Sequence, residues 1–302
     1  MSREMSRRGF MALSAAATAA GLMGKAAHAA QKPPVCVFSK HLQFLDYKEL
    51  AKTCKDAGLD GIDLTVRGGG HVLPENVARD LPAAVEAIRA EGLDVPMITT
   101  RLASGNDPGA EPILSTASKL GIKYFRIGGQ KYDEAGPIQP QLEKFAGELR
   151  TLAAVAEKHG MSAGYHNHSG WRRVGAPVWD LYTLFGMVGS EHIGANFDIG
   201  HATVEGAYGD WQITARLIAP HVKMMAVKDF VWEDFDEGEP DWVPLGKGVV
   251  DTAGMLRIMR QAGFGGPISM HFEYHVRNGD AMIEEVVKAN KILRKQMKMA
   301  GY

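Results

Sequence analysis

"VFSKHLQF", Val37 to Phe44, joins the first β-branched run of this chain to its first helical segment, and it contains no glycine. A doubly wound open sheet that binds a nucleotide marks this junction with a glycine-rich loop, because the backbone there must approach phosphates closely. The chain repeats a strand-then-helix pattern, so the choice lies between that open sheet and a closed (β/α)8 barrel. The glycine-free junction favours the barrel.

Eight short apolar runs read as strands: "VCVF" (35–38), "GIDLTV" (61–66), "VPMIT" (95–99), "YFRIG" (124–128), "SAGYH" (162–166), "IGANFD" (193–198), "VKMMAVKD" (222–229) and "PISMHFE" (267–273). Helical patterns lie between them. "DYKELAKTCKDAG" opens on Asp46 as N-cap and closes on Gly58. "DLPAAVEAIRAEG" reads as capped by Asp80 with Pro82 in its first turn. "QLEKFAGELRTLAAVAEKHG" is the longest, and the last helix starts after Asp280. No hairpin turns separate the strands, which implies parallel pairing through helical crossovers. Eight such units in about 270 residues are the size of one closed barrel, an α/β fold over residues 31–302 with no internal boundary. The longest insertion, 230–250, is acidic and aromatic and reads as a lid or rim.

The 34 basic and 35 acidic side chains nearly cancel. A nucleic-acid or anionic-membrane partner needs a positive field, so both are disfavoured. Nothing after the N-terminus is apolar enough to span a bilayer. Residues 1–30 differ in kind: Arg7 and Arg8 precede Phe10, an Ala-rich run comes next, and Ala27-His28-Ala29 gives a cleavage pattern. This resembles a twin-arginine (Tat) signal peptide, and it implies the Tat export machinery as partner and a periplasmic or otherwise exported location. Cys36 and Cys54 fall in core-like contexts, as two buried thiols or, in an exported protein, a disulfide.

In a barrel of this kind the active site lies at the C-terminal strand ends. The polar residues there are Ser39, Lys40 and His41; Arg67 and His71; Thr100 and Arg101; Arg126; His166, Asn167 and His168; Asp198 and His201; Lys228 and Asp229; and Glu273 with His275 beyond. His166 and His168 are two apart, so both point to one face of their strand. Four strands in a row deliver a histidine or carboxylate to one rim, a pattern suited to a divalent ion and a polyhydroxylated ligand. A carboxylate at an inner strand end, such as Asp198, needs a partner. Lys228 could stabilise an enolate oxygen or a leaving hydroxyl, or pair with Asp229 or Glu273. Arg67, His71, Lys40 and Arg101 are candidates for holding hydroxyls or a carboxylate, or are barrel-end ion pairs. Trp171, Trp232 and Trp242 could stack on sugar rings or pack a lid.

Through "YHNHSG", "NFDIGHA", "VKDF", "ISMHFE" and "PLGKGVVD" the mature chain resembles the xylose isomerase-like TIM barrels. These include sugar phosphate isomerase/epimerases, inosose dehydratases and endonuclease IV relatives. The resemblance implies a metal shell of Glu, Asp, His and Glu from strands five to eight. Asp198 and Glu273 match it, His166 stands at the first Glu, and Ala226 stands where the strand-seven His is expected. It thus implies a divalent ion (Mn²⁺, Mg²⁺, Co²⁺ or Zn²⁺) on His166, Asp198 and Glu273, with His168 or His201 available for the missing place or for substrate. Mixed nitrogen and oxygen ligands single out no metal.

The implied chemistry is removal of a proton next to a carbonyl of a sugar or keto-sugar, with Glu273 or His166 as base and Lys228 assisting. The enediolate then gives isomerisation or epimerisation. A lyase or dehydratase acting on a keto-sugar or keto-inositol through the same enolate is the first rival. A non-catalytic sugar-binding barrel, prompted by Ala226, is the second. Self-association is common among such barrels, but no interface is evident. Endonuclease activity fits neither the charge nor the ligand count.

Overall fold

The computed structural model describes residues 32–232 and 239–302. The expected signal peptide lies outside the described residues, as does the middle of the insertion. Eight parallel strands close a barrel: β1 (Val35–Phe38), β2 (Gly61–Thr65), β3 (Asp94–Thr99), β4 (Tyr124–Ile127), β5 (Ser162–His166), β6 (Ile193–Asp198), β7 (Val222–Val227) and, after the insertion, β10 (Ile268–Met270). Each strand from β1 to β7 pairs with the next, and β10 pairs with both β7 and β1. The insertion carries β8 (Asp229–Val231) and β9 (Asp241–Val243), an antiparallel pair.

The main helices are α1 (Tyr47–Asp56), α2 (Val77–Ala90), α3 (Ala110–Lys119), α4 (Ile138–Lys158), α5 (Trp179–Val188), α6 (Ile199–Glu205), α7 (Trp211–Ile218), α8 (Thr252–Gln261) and α9 (Gly279–Ala300). Asp46 caps α1 through a capping box with Glu49, as its position suggests. Gly58 comes after it at φ 75°, a left-handed turn that glycine adopts without strain. Two helix starts differ from expectation. α2 begins at Val77, upstream of Asp80, with Pro82 inside it. A 3₁₀ turn at Pro74–Asn76 leads into it, and burial of Val77 and Leu81 extends its apolar face. α4 begins at Ile138, because Pro140 falls in a first turn where its missing N–H costs no helical bond.

Side chains from alternate strands fill the barrel. Asp63 on β2 accepts hydrogen bonds from Thr99 Oγ1 (2.7 Å) and Ser269 Oγ (2.8 Å), which ties β2 to β3 and β10 at mid-barrel. Outside the barrel, Ile62, Leu64, Val95, Phe125 and Phe197 belong to a continuous apolar core with the helices. Cys36 and Cys54 are buried free thiols within this packing. Burial pushes Cys54 up to about 12 and Cys36 well above its ordinary value, so both stay protonated.

Candidate active site

The site is built where β5, β6, β7 and β10 end. Asn167 comes directly after β5 and clamps the end of β6 with its buried amide: Nδ2 donates to Asp198 O (2.9 Å), and Asp198 N donates to Oδ1 (2.7 Å). Asp198 Oδ1 in turn accepts from His201 N (2.9 Å) and caps α6. Its other oxygen, Oδ2, faces Lys228 Nζ at 3.1 Å.

Lys228 lies just past the end of β7 and is the hub of the site. Its Nζ is 2.5 Å from Glu273 Oε1 and 2.8 Å from His201 Nε2. It also sits 4.7 Å from the centre of the Trp242 ring on β9. Gly200 is what admits it: a Cβ there would collide with the Lys228 stem and press on Trp242. The insertion therefore contributes a wall to the site through Trp242.

The partners fix the histidine tautomers. An ammonium only donates, so His201 Nε2 accepts from Lys228, and Nδ1 carries the proton that it gives to Ser169 Oγ (2.8 Å). His168 Nδ1 donates to Ser169 O (2.9 Å), which leaves its Nε2 as the lone-pair nitrogen. The His168 and His201 rings lie 3.8 Å apart. Beneath them His166 Nε2 is 3.5 Å from Asp198 Oδ2, and its ring stacks on His271 at 5.5 Å. His271 stacks on Phe38 at 4.8 Å.

Burial dominates the electrostatics. It drives His166, His201 and His271 well below the usual histidine range, helped by the positive charge of Lys228 and Arg126, so all three are neutral near pH 7. Burial raises Asp198 to about 6 against the pull of Lys228. It also pushes Glu273 up, but there the charge and hydrogen bond of Lys228, with Arg126 beyond, win and hold the carboxyl below its ordinary value.

A cavity of about 520 Å³ opens over this cluster, within the usual size of a small-molecule site. Glu273, His168, Lys40 and Arg67 of the sequence-derived candidates line it, as does Trp242. Asp198, His166, His201 and Lys228 are buried around its floor. His71 lies elsewhere: its Nδ1 is 3.1 Å from Ser39 Oγ and 3.3 Å from Thr65 Oγ1, where it ties the rims of β1 and β2. Arg101 is exposed and is not part of the cavity wall. Trp171 is 77% exposed and lines a neighbouring cleft of about 490 Å³ with His168, His201 and Trp242. His271 escaped the sequence reading. The signal was available, since in "MHFE" it is two residues from Glu273 and shares its face.

Among the described residues two groups have donor atoms close enough to hold a metal ion: His166, Asp198 and His201, and His168, His201 and Glu273. The orphaned Nδ1 of His166 and the lack of a hydrogen bond at Asp198 Oδ2 are in keeping with such a role. Yet a cation already stands among them. Lys228 Nζ contacts members of both groups, and Ala226, opposite Asp198 in the β6–β7 ladder, offers no ligand. With Lys228 seated there, the donors do not fit a divalent ion, because two cations would compete for the same carboxylate oxygens.

The family model described as xylose isomerase-like TIM barrel matches residues 51–299. None of the curated proteins matches the chain significantly. Among solved structures, it is similar to an L-ribulose 3-epimerase (14% identity, TM-score 0.66, 89% of this chain and 95% of that one). It is also similar to the 3-keto-D-glucoside 4-epimerase of E. coli (12%, 0.68, 87% and 100%). A third is the probable 3-DHS dehydratase of Bacillus anthracis involved in petrobactin synthesis (16%, 0.65, 85% and 97%). At these identities the likeness shows the fold. The motif match over most of the chain shows more: this protein belongs to the xylose isomerase-like TIM barrel family.

Proposed function

We propose that this protein is a sugar isomerase or epimerase that removes a proton next to the carbonyl of a sugar or keto-sugar. The observation that carries the reading is the row Glu273–Lys228–Asp198, with a carboxylate on the cavity wall held ionised by an ammonium that is itself anchored on a buried aspartate. The two epimerases and the probable dehydratase of the same fold support an enolising enzyme.

Glu273 is the base. Lys228 supplies the positive charge beside the developing enolate oxygen, preorganised by Asp198 and His201 so that no reorganisation is needed at the moment of reaction. When Glu273 takes the proton, the charge on Lys228 is freed for the oxyanion. The proton returned from Glu273 to the neighbouring carbon completes an isomerisation. Neutral His168, with its Nε2 lone pair, carries the proton between the two sugar oxygens. His166, neutral and buried, lies beside Asp198 with Nε2 3.5 Å from Oδ2. Trp242 gives an aromatic face to the sugar.

The same enolate can expel a β-substituent, and the dehydratase of this fold supports that lyase course as the second outcome. A divalent ion in place of the ammonium is a further reading, supported by the two donor groups; it requires Lys228 to swing out. In the signal-peptide reading of residues 1–30 the enzyme works outside the cytoplasm on carbohydrate met there. The test is hydrogen exchange at the α-carbon of a panel of keto-sugars in D₂O, monitored by NMR. Wild type should exchange and Glu273→Gln should fall to background. Exchange by the variant at the wild-type rate removes Glu273 as the base, and binding without exchange makes the barrel a sugar-binding protein.

A further inference from the structure

Two arginines in the cavity wall have no acidic partner among the described residues. Arg67 lies just beyond β2 and Arg126 lies on β4, and their guanidinium carbons stand 5.2 and 5.5 Å from the centre of the same Phe38 ring. Both line the cavity. Among the described residues neither guanidinium makes a hydrogen bond or an ion pair. Some arginines elsewhere are paired: Arg294 reaches Asp60 at 2.8 Å and Arg172 reaches Glu134 at 2.6 Å.

Among the described residues no acid in the wall is free to serve the pair. Asp63, below them, is bonded to Thr99 and Ser269. Glu273 is engaged by Lys228. The lining thus carries Lys40, Arg67 and Arg126 against one carboxylate that is already neutralised. Burial lowers Arg126 to about 10 even with Asp63, Asp198 and Glu273 acting to raise it, a mark of a cation whose desolvation is not met by a partner. Two guanidinium groups beside the same Phe38 ring in one cavity wall offer an oxyanion paired N–H donors.

We propose that Arg67 and Arg126 form an anion subsite, and that the substrate is a keto-sugar bearing a carboxylate or phosphate oxyanion. This rests on the enolising reading only in taking the cavity as the substrate's place. The subsite lies on the β2–β4 side of the wall and Glu273 at the end of β10, so the anion fixes which carbonyl end meets the base. Lys40 adds attraction at the rim.

The test is calorimetric titration of the full chain at low salt with gluconate, glucose 6-phosphate and glucose. At least one acid should bind tenfold or more tightly than glucose, with an affinity that falls as salt is added. Gluconate marks the oxyanion as a carboxylate and glucose 6-phosphate as a phosphate. Arg67→Gln, at a half-buried position that need not disturb the fold, should lose about tenfold for the acid and nothing for glucose, and Arg126→Gln should do the same if it folds. Equal binding of acids and glucose, no binding of either acid at millimolar concentration, or an acid preference unchanged in Arg67→Gln overturns the subsite. Because binding is read without turnover, this failure is separate from that of the enolising reading, which is decided by exchange in D₂O.

Discussion

Replacing Lys228 with Met keeps the length of the side chain and removes its charge. Asp198, whose pKa of about 6 had Lys228 to hold it down, is then left buried with the Glu273 carboxylate still acting to raise it. If the loss lifts that pKa to about 8, linkage puts the extra cost at about 2.3 kcal/mol at pH 8, from about 1.4 kcal/mol for each tenfold change in protonation. The direction of the shift sets the sign. A carboxyl whose folded pKa is raised contributes stability below its unfolded value that is lost as pH rises through the folded one. The deficit of the variant therefore opens between about pH 6 and 8 and vanishes near pH 5, where Asp198 is protonated in both proteins. Glu273, with a side chain 31% exposed, adds little because water screens it. Urea denaturation at pH 8 and pH 5 reads the difference, and a melting shift of roughly 5–10 °C should accompany it at pH 8. Exchange at the α-carbon should fall by about 10²–10³. A deficit equal at both pH values, or none at pH 8, refutes the pairing of Lys228 with Asp198.

Four neutral histidines, His41, His166, His201 and His271, gain protons only on unfolding, while Asp63 and Asp198, both raised to about 6, hold protons in the folded state. The histidines outnumber the aspartates by two, so stability should fall by about 2.7 kcal/mol as pH drops from 6 to 5; denaturation showing stability flat or rising on acidification contradicts this. Asn167→Ala removes both hydrogen bonds that pin Asp198 to β5 and should cost about 2–3 kcal/mol in urea denaturation; a loss under about 0.5 kcal/mol means the clamp is not needed.

The barrel was legible because its signals are local. Strand runs such as "SAGYH" and "IGANFD" coincide with β5 and β6, and the absence of hairpin turns implies the parallel order. The places that misled were those where a tertiary partner overrides a local cue. Asp80 looks like a cap, but burial of Val77 and Leu81 starts α2 earlier. His71 stands with the rim histidines in sequence, yet Ser39 and Thr65 draw it away from the cavity. Arg126 stands among the rim residues in sequence, but its lack of a partner among the described residues exists only in three dimensions. The sequence already hinted at the role of Lys228, because Ala226 leaves β7 with no ligand while Lys228, two residues on, points to the same face.

That pairing of a lost ligand with a resident ammonium has a consequence for metal binding. His166 Nε2, Asp198 Oδ2, His201 Nε2 and Glu273 Oε1 surround or adjoin the place of Lys228 Nζ. Lys228→Ala takes the ammonium away and leaves two imidazoles and two carboxylates, a set suited to four-coordinate Zn²⁺. With Ala226 silent, octahedral Mg²⁺ is served less well. The variant should therefore take up one Zn²⁺ per chain by elemental analysis. At a free concentration about 100 times the dissociation constant it should gain about 2.7 kcal/mol, seen as a rise in melting temperature. Wild type should show neither, because the ion must first displace a cation that is bonded on three sides. Equal uptake by wild type means that Lys228 yields readily, and the divalent ion then takes over as the site's electrophile. No uptake by either means that the four donors cannot converge, and the ammonium is the only cation this site was built to hold.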